Sequence, residues 1–195
     1  MKKLNYFTLL VLGLALCFAS QVNAQQLSGS AQLGWSIPGG GGVSEEPEDL
    51  NLDGGLTYGL DILYHLNDNL GVGLVLNRSI LAGAGGGDID IFGMRILGVK
   101  GHYRLIPEGF SPYGALTLGV AQLLTPELTV NGDLIEEQTG AGFGIMPEVG
   151  LHFGGFFIGA QYMVPVSYTI EEIELTDKAV GILNINVGYR YYLDL

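Results

Sequence analysis

Apolar and polar residues alternate along the end of the chain without a break. Leu183, Ile185, Val187, Tyr189, Tyr191, Leu193 and Leu195 share one parity. Asn184, Asn186, Gly188, Arg190, Tyr192 and Asp194 share the other, with Ile182 as its one aliphatic member. Successive side chains of a strand point to opposite faces, so this pattern predicts a strand with one apolar and one mostly polar face. It recurs upstream. Residues 27–37 set Leu27, Ala31, Leu33, Trp35 and Ile37 against Ser28, Ser30, Gln32, Gly34 and Ser36. Residues 55–66 set Leu56, Tyr58, Leu60, Ile62, Tyr64 and Leu66 against Thr57, Gly59, Asp61 and His65. Residues 70–81, 140–153 and 156–168 behave alike, with Gly71, Gly73, Asn77, Gly142, Gly144, Glu148, His152, Gly159, Gln161 and Ser167 on their polar faces.

Two segments are less regular. In residues 90–105, Leu97, Val99, Tyr103 and Leu105 keep one phase, whereas Phe92, Met94 and Ile96 fit the other. That break predicts a bulge near Ile96 and Leu97. In residues 112–124, Leu116, Leu118 and Val120 favour one phase and Tyr113 the other. With the terminal segment these make eight strands, and no segment has a helical period. The connections alternate short and long. Residues 67–69, 106–111 and 154–155 are tight; 38–53, 82–88, 125–139 and 169–177 are mostly longer, with a hairpin tip expected at Val130-Asn131-Gly132-Asp133. This is the signature of an all-β, eight-stranded antiparallel up-and-down β-barrel whose two rims differ.

The placement of charge decides which face is outside. A soluble barrel that binds a ligand in an apolar interior needs charged strands on its exterior. Here the strands carry little charge, and most acids fall in the longer connections, among them Glu45, Glu46, Glu48, Asp49, Glu136, Glu137, Glu171 and Glu172. Trp35, Phe92, Phe143 and Tyr168 lie near the long-loop ends of the apolar faces. Tyr64, Tyr103, Phe153, Phe156, Tyr189 and Tyr191 lie near the short-turn ends. Two aromatic belts match the two interfaces of a membrane. The apolar face therefore reads as the exterior of a transmembrane barrel, in which every backbone donor is paired without water.

The first residues agree. Lys2 and Lys3, an apolar run and the small residues around Ala24 predict a signal peptide over residues 1–24, leaving 25–195 as one barrel domain. Cys17, the single cysteine, leaves with it. Removing two of the eight basic residues leaves six against 20 acidic ones, a net charge of −14, which argues against nucleic acid as a partner.

The segments FSPYGALTLGV, PEVGLHF and VGYRYYLDL give the chain a familiar look. It resembles the small bacterial outer-membrane barrels of the OmpA/OmpX type, the porin-family β-barrel domain in the form common among Bacteroidetes. The resemblance implies an outer-membrane location, with both termini periplasmic and the acidic loops extracellular. It implies a monomer contacting membrane lipid and lipopolysaccharide, inserted by the barrel-assembly machinery and holding no cofactor. The last strand of such proteins usually ends on an aromatic; here it ends on Leu195.

Candidate chemistry sits on the polar faces. Asp61, His65, Lys100, His102, Arg104, Glu148, His152, Arg190 and Asp194 should project into the lumen. Opposite charges in a narrow lumen are expected to pair as a structural plug, because an unpaired buried charge is costly. The alternative is a small polar conduit or gate lined by the same groups. Some small barrels of this kind modify lipid A, which would need a nucleophile and base at the lipid surface; histidines near the short turns do not suit it. The cluster Glu45, Glu46, Glu48 and Asp49 offers oxygens to calcium or magnesium, or simply a solvated acidic surface. The expected role is structural, porin-like or surface-interacting.

Overall fold

The computed structural model describes residues 26–39, 51–85, 88–107, 109–125, 128–130, 133–135, 138–170, 173–174 and 181–194. Within these, side chains are described except at 51–53, 83–92, 124–139, 167–174 and 194. The expected signal peptide and the Glu45, Glu46, Glu48 and Asp49 cluster lie outside the described residues.

Eight long strands form the barrel: β1 (Gln26–Gly39), β2 (Asn51–His65), β3 (Leu70–Gly85), β4 (Asp88–Arg104), β5 (Phe110–Thr125), β8 (Gln138–Phe153), β9 (Phe156–Ile170) and β11 (Gly181–Asp194). Three short strands decorate one rim: β6 (Leu128–Val130) and β7 (Asp133–Ile135) make a separate hairpin, and β10 (Ile173–Glu174) pairs with β9. Each long strand is antiparallel to its neighbours in sequence, and β11 pairs with β1, so the sheet closes on itself. The closing seam runs from Gln26 opposite Asp194 to Gly39 opposite Gly181. The terminal alternation is thus one wall of a closed cylinder. The strands that flank the hairpin tip expected at residues 130–133 pair as expected, with Val130 opposite Asp133, and the two tip residues lie outside the described residues.

The turns at one rim are tight for local reasons. Between β2 and β3 the Asn67 side-chain oxygen accepts from the backbone N–H of Asn69 at 2.9 Å and of Leu70 at 2.8 Å. This Asx turn reverses the chain. Between β8 and β9 the reversal needs only Gly154 and Gly155, and Gly154 sits at φ 63°, where a side chain would be strained.

The structure corrects two sequence expectations. Strands β3 and β4 pair from Leu70–Tyr103 to Gly85–Asp88 without a register shift, so there is no bulge near Ile96 and Leu97. Met94 and Ile96 keep the inward phase of Lys100, His102 and Arg104, and both are buried. The apparent change of phase came from apolar residues inside the barrel. The connection expected over residues 82–88 is mostly strand, since β3 and β4 extend to Gly85 and Asp88. A bulge does occur elsewhere: β8 and β9 shift register between Phe143 and Gly144, beside Pro165, which has no N–H to give the ladder. In β5, Tyr113, Thr117 and Ala121 point inward, while Leu116, Leu118 and Val120 are exposed on the outside.

Burial is inverted relative to a water-soluble domain. The outward face of the wall exposes Leu60, Ile62, Leu74, Leu97, Val149 and Val187. The interior holds Asp61, Lys100, Glu148 and Arg190 at 4% exposure or less. Trp35, Phe143, Tyr103, Phe153, Phe156, Tyr189 and Tyr191 are all exposed on the outer surface, and Tyr64 is partly so. Side chains of the other two belt candidates, Phe92 and Tyr168, lie outside the described residues.

Candidate functional site

A closed barrel of eight strands is just wide enough for side chains to fill it. Alternation sends every second residue inward, so sequence parity alone assigns the lining. Close to the short turns, Ser28 of β1 meets His65 of β2, Oγ to Nε2, at 2.8 Å. His102 of β4 and His152 of β8 meet through their Nε2 atoms at 3.1 Å, one ring donating and the other accepting. Arg104 donates to the Tyr192 hydroxyl at 3.1 Å.

A few residues deeper lies the ionic layer. Lys100 Nζ is 2.7 Å from Glu148 Oε2 and 3.1 Å from Asp61 Oδ2. Arg190 Nη2 is 3.0 Å from Asp61 and its Nη1 donates to Ser28 Oγ at 3.1 Å. The Tyr113 hydroxyl donates to Glu148 Oε1 at 2.7 Å. The chain Arg190–Asp61–Lys100–Glu148–Tyr113 therefore crosses the lumen from β11 through β2, β4 and β8 to β5. Two cations and two carboxylates sum to zero charge. Each carboxylate has partners on more than one strand, which is how buried charges avoid a large desolvation cost. Glycine makes the room: a Cβ on Gly159 would lie 2.4 Å from the Tyr113 hydroxyl oxygen.

Above the ions the lining becomes neutral. Asn77 Nδ2 donates to Gln161 Oε1 at 2.9 Å, and Gln161 Nε2 donates to Gln32 Oε1 at 3.1 Å. Ser36 and Ser79 both donate to Asn184 Oδ1, at 2.7 and 3.0 Å. Among and beyond these amides, toward the longer loops, Val75, Leu81, Met94, Ile96, Met146, Met163 and Ile182 pack together with Leu123 against them. The lumen thus holds an ionic layer near the short turns and, toward the longer loops, amide and apolar side chains side by side.

Of the expected lumen residues, Asp61, His65, Lys100, His102, Arg104, Glu148, His152 and Arg190 all point inward and are buried. The side chain of Asp194 lies outside the described residues. Sequence reasoning did not single out Tyr113, Ser28 or the amide chain, although the parity of Ser28, Gln32, Asn77 and Gln161 already placed them on polar faces. The apolar layer was missed because Met94 and Ile96 mimic a phase break; Ile182, the lone aliphatic on its polar face, was the available signal. Among the described residues no three His, Cys, Asp or Glu side chains come together as a metal site.

An apolar exterior, a filled polar interior and a wall without free edges define a transmembrane up-and-down barrel. Residues 9–191 match the model of the outer membrane protein beta-barrel domain, and the chain belongs to that family. It is an outer-membrane β-barrel protein. No curated protein is similar enough to the chain to count as a match. Solved structures share the fold. Ail, the attachment invasion locus protein of Yersinia pestis, was solved in complex with the heparin analogue sucrose octasulfate. It is 18% identical with a TM-score of 0.54, over 86% of this chain and 99% of that one. OprG from Pseudomonas aeruginosa is 14% identical with a TM-score of 0.51, over 86% and 96%. Neisserial surface protein A is 15% identical with a TM-score of 0.51, over 85% and 97%.

Proposed function

We propose that this protein is a sealed outer-membrane barrel that works as a structural wall element and as a mount for acidic surface loops, without a conducting pore and without enzymatic activity. The carrying observation is the lumen. A neutral ion-paired layer is followed along the axis by interleaved amide and apolar side chains, and ions would have to part both. The conduit reading uses the same groups, but Lys100 and Arg190 are both engaged by carboxylates, and Met94, Ile96 and Met146 are nearly inaccessible to solvent.

The orientation follows from the two rims. The short turns and the ends of β1 and β11 share one rim, which this reading makes periplasmic. The longer connections carry most of the acids, and on the same reading they belong to the extracellular side. Such loops suit a cationic partner or divalent ions rather than a polyanion of the kind bound to Ail. Lipid chemistry has weak support. The Ser28–His65 contact pairs a nucleophile with a base, but both are buried in the lumen, and the serine already accepts from Arg190.

The test is a planar bilayer. Protein whose folding is established by heat-modifiable gel mobility should show no step currents at any applied potential. Steady unitary conductance would replace the sealed reading with the conduit. Overexpression should leave the lipid A mass spectrum unchanged; a new deacylated or acylated species would establish an enzyme.

A further inference from the structure

Among the described residues the lipid-facing wall is apolar except at one place. Arg78 of β3 and Arg95 of β4 point outward and stand directly opposite one another in the register. Among the described outward side chains of the eight long strands they are the only charged ones. Tyr58 is the partner of Arg78 on β2, and Gln122 is the partner of Arg95 on β5. The Arg95 guanidinium donates through Nε to the Gln122 side-chain oxygen. Neither arginine has a carboxylate within ion-pair distance among the described residues. Cross-strand partners in an antiparallel pair hold their Cβ atoms about 4.5–5.5 Å apart, so two like charges here repel each other. Charge on the lipid face is also unfavourable. An arrangement with both defects is relieved by an anion shared between the two guanidinium groups.

The height on the wall says which anion. Arg95 lies eight residues along β4 from Tyr103, which stands in the aromatic belt at the short turns. At about 3.3 Å per residue and a tilt of about 40°, that is a rise of roughly 20 Å. The apolar band of such barrels is about 25 Å tall. Valine and leucine at Val99 and Leu97 fill the stretch between. The arginines therefore sit just below the far interface, within reach of the headgroups for a long side chain whose stem lies along apolar surface. A planar guanidinium fork matches a phosphate through two parallel hydrogen bonds.

We infer that Arg78 and Arg95, flanked by Tyr58 and Gln122, form a binding site for the phosphate of a lipid headgroup in the leaflet nearest the longer loops. In the orientation proposed above, on which only the choice of leaflet rests, that is the outer leaflet, whose lipid is a phosphorylated glycolipid. The four residues come from four consecutive strands, so the site exists only once the sheet has formed.

The test uses the full barrel refolded in zwitterionic phosphatidylcholine nanodiscs and titrated with lipid A, with binding read by native mass spectrometry. Wild-type protein should bind diphosphoryl lipid A at least about tenfold more tightly than its dephosphorylated form, and millimolar inorganic phosphate should not displace it. Arg78→Gln with Arg95→Gln should abolish that preference, and the paired lysine variant should recover part of it. Equal binding of the two lipid forms by the wild type would overturn the site, and this comparison decides even if the glutamine variant does not fold. Full displacement by inorganic phosphate would make it a free-anion site instead. Orientation is read separately. Asp68→Cys, in a short turn, should resist a membrane-impermeant maleimide on intact cells. Labelling there would reverse the leaflet and leave the lipid result standing.

Discussion

Lys100→Met tests whether the ionic layer acts as a unit. The lysine stands between two carboxylates, 2.7 Å from Glu148 and 3.1 Å from Asp61. Methionine matches its volume and removes its charge. The neutral tetrad of Asp61, Lys100, Glu148 and Arg190 would then carry one uncompensated negative charge at full burial. Breaking a buried pair by removing one partner costs about 3–5 kcal/mol. Glu148→Gln is milder. It leaves Lys100 with Asp61 and keeps an oxygen for the Tyr113 hydroxyl, so the expected loss is about 1–3 kcal/mol. The double variant is neutral again, because Asp61 and Arg190 remain 3.0 Å apart. Its loss should fall about 2–3 kcal/mol short of the sum of the singles. Urea unfolding in phospholipid vesicles measures this, with emission from Trp35 as the probe. That residue is the only tryptophan and faces outward at 57% exposure, so it reports transfer between lipid and water. Additivity within about 0.5 kcal/mol would refute the coupled layer.

Three further outcomes follow from the lining and one turn. Tyr113→Phe removes the 2.7 Å hydrogen bond to Glu148 and should cost about 1–3 kcal/mol in the same assay. Gly59→Leu should cost about 1–3 kcal/mol by overpacking, since a Cβ there would already lie 2.7 Å from Gln32 Nε2 and 2.9 Å from Asn77 Nδ2. An unchanged urea midpoint would mean that the amide layer is loosely packed. Asn67→Ala removes two side-chain acceptor contacts from the turn between β2 and β3. It should lower stability by about 0.5–1.5 kcal/mol per bond lost, with the exposed site at the lower end, and slow refolding without altering the heat-modifiable gel shift of the folded form.

Much of this molecule is legible along the chain because a strand in a barrel wall meets two solvents at once. Its two faces must differ, and the difference recurs with a period of two residues. Parity therefore places Asp61, Lys100, Glu148 and Arg190 on the polar faces from the sequence alone. The contrast between sparsely charged strands and acidic connections indicated which solvent was outside. The same reasoning misread β4. Met94 and Ile96 are apolar and point inward, so a rule that equates apolar with outward invents a bulge there.

Only the closed sheet decided the rest. Register sets which inward residues share a level, and register depends on pairing between strands far apart in sequence. It brings Arg190 to Asp61 across 129 positions and Gln161 to Gln32 across another 129. Register likewise set Arg78 opposite Arg95, and the pair together marks an anion site. Alternation determined the faces, since it is a local property of extended backbone. The partners within the lumen are a property of closure, which no local pattern encodes.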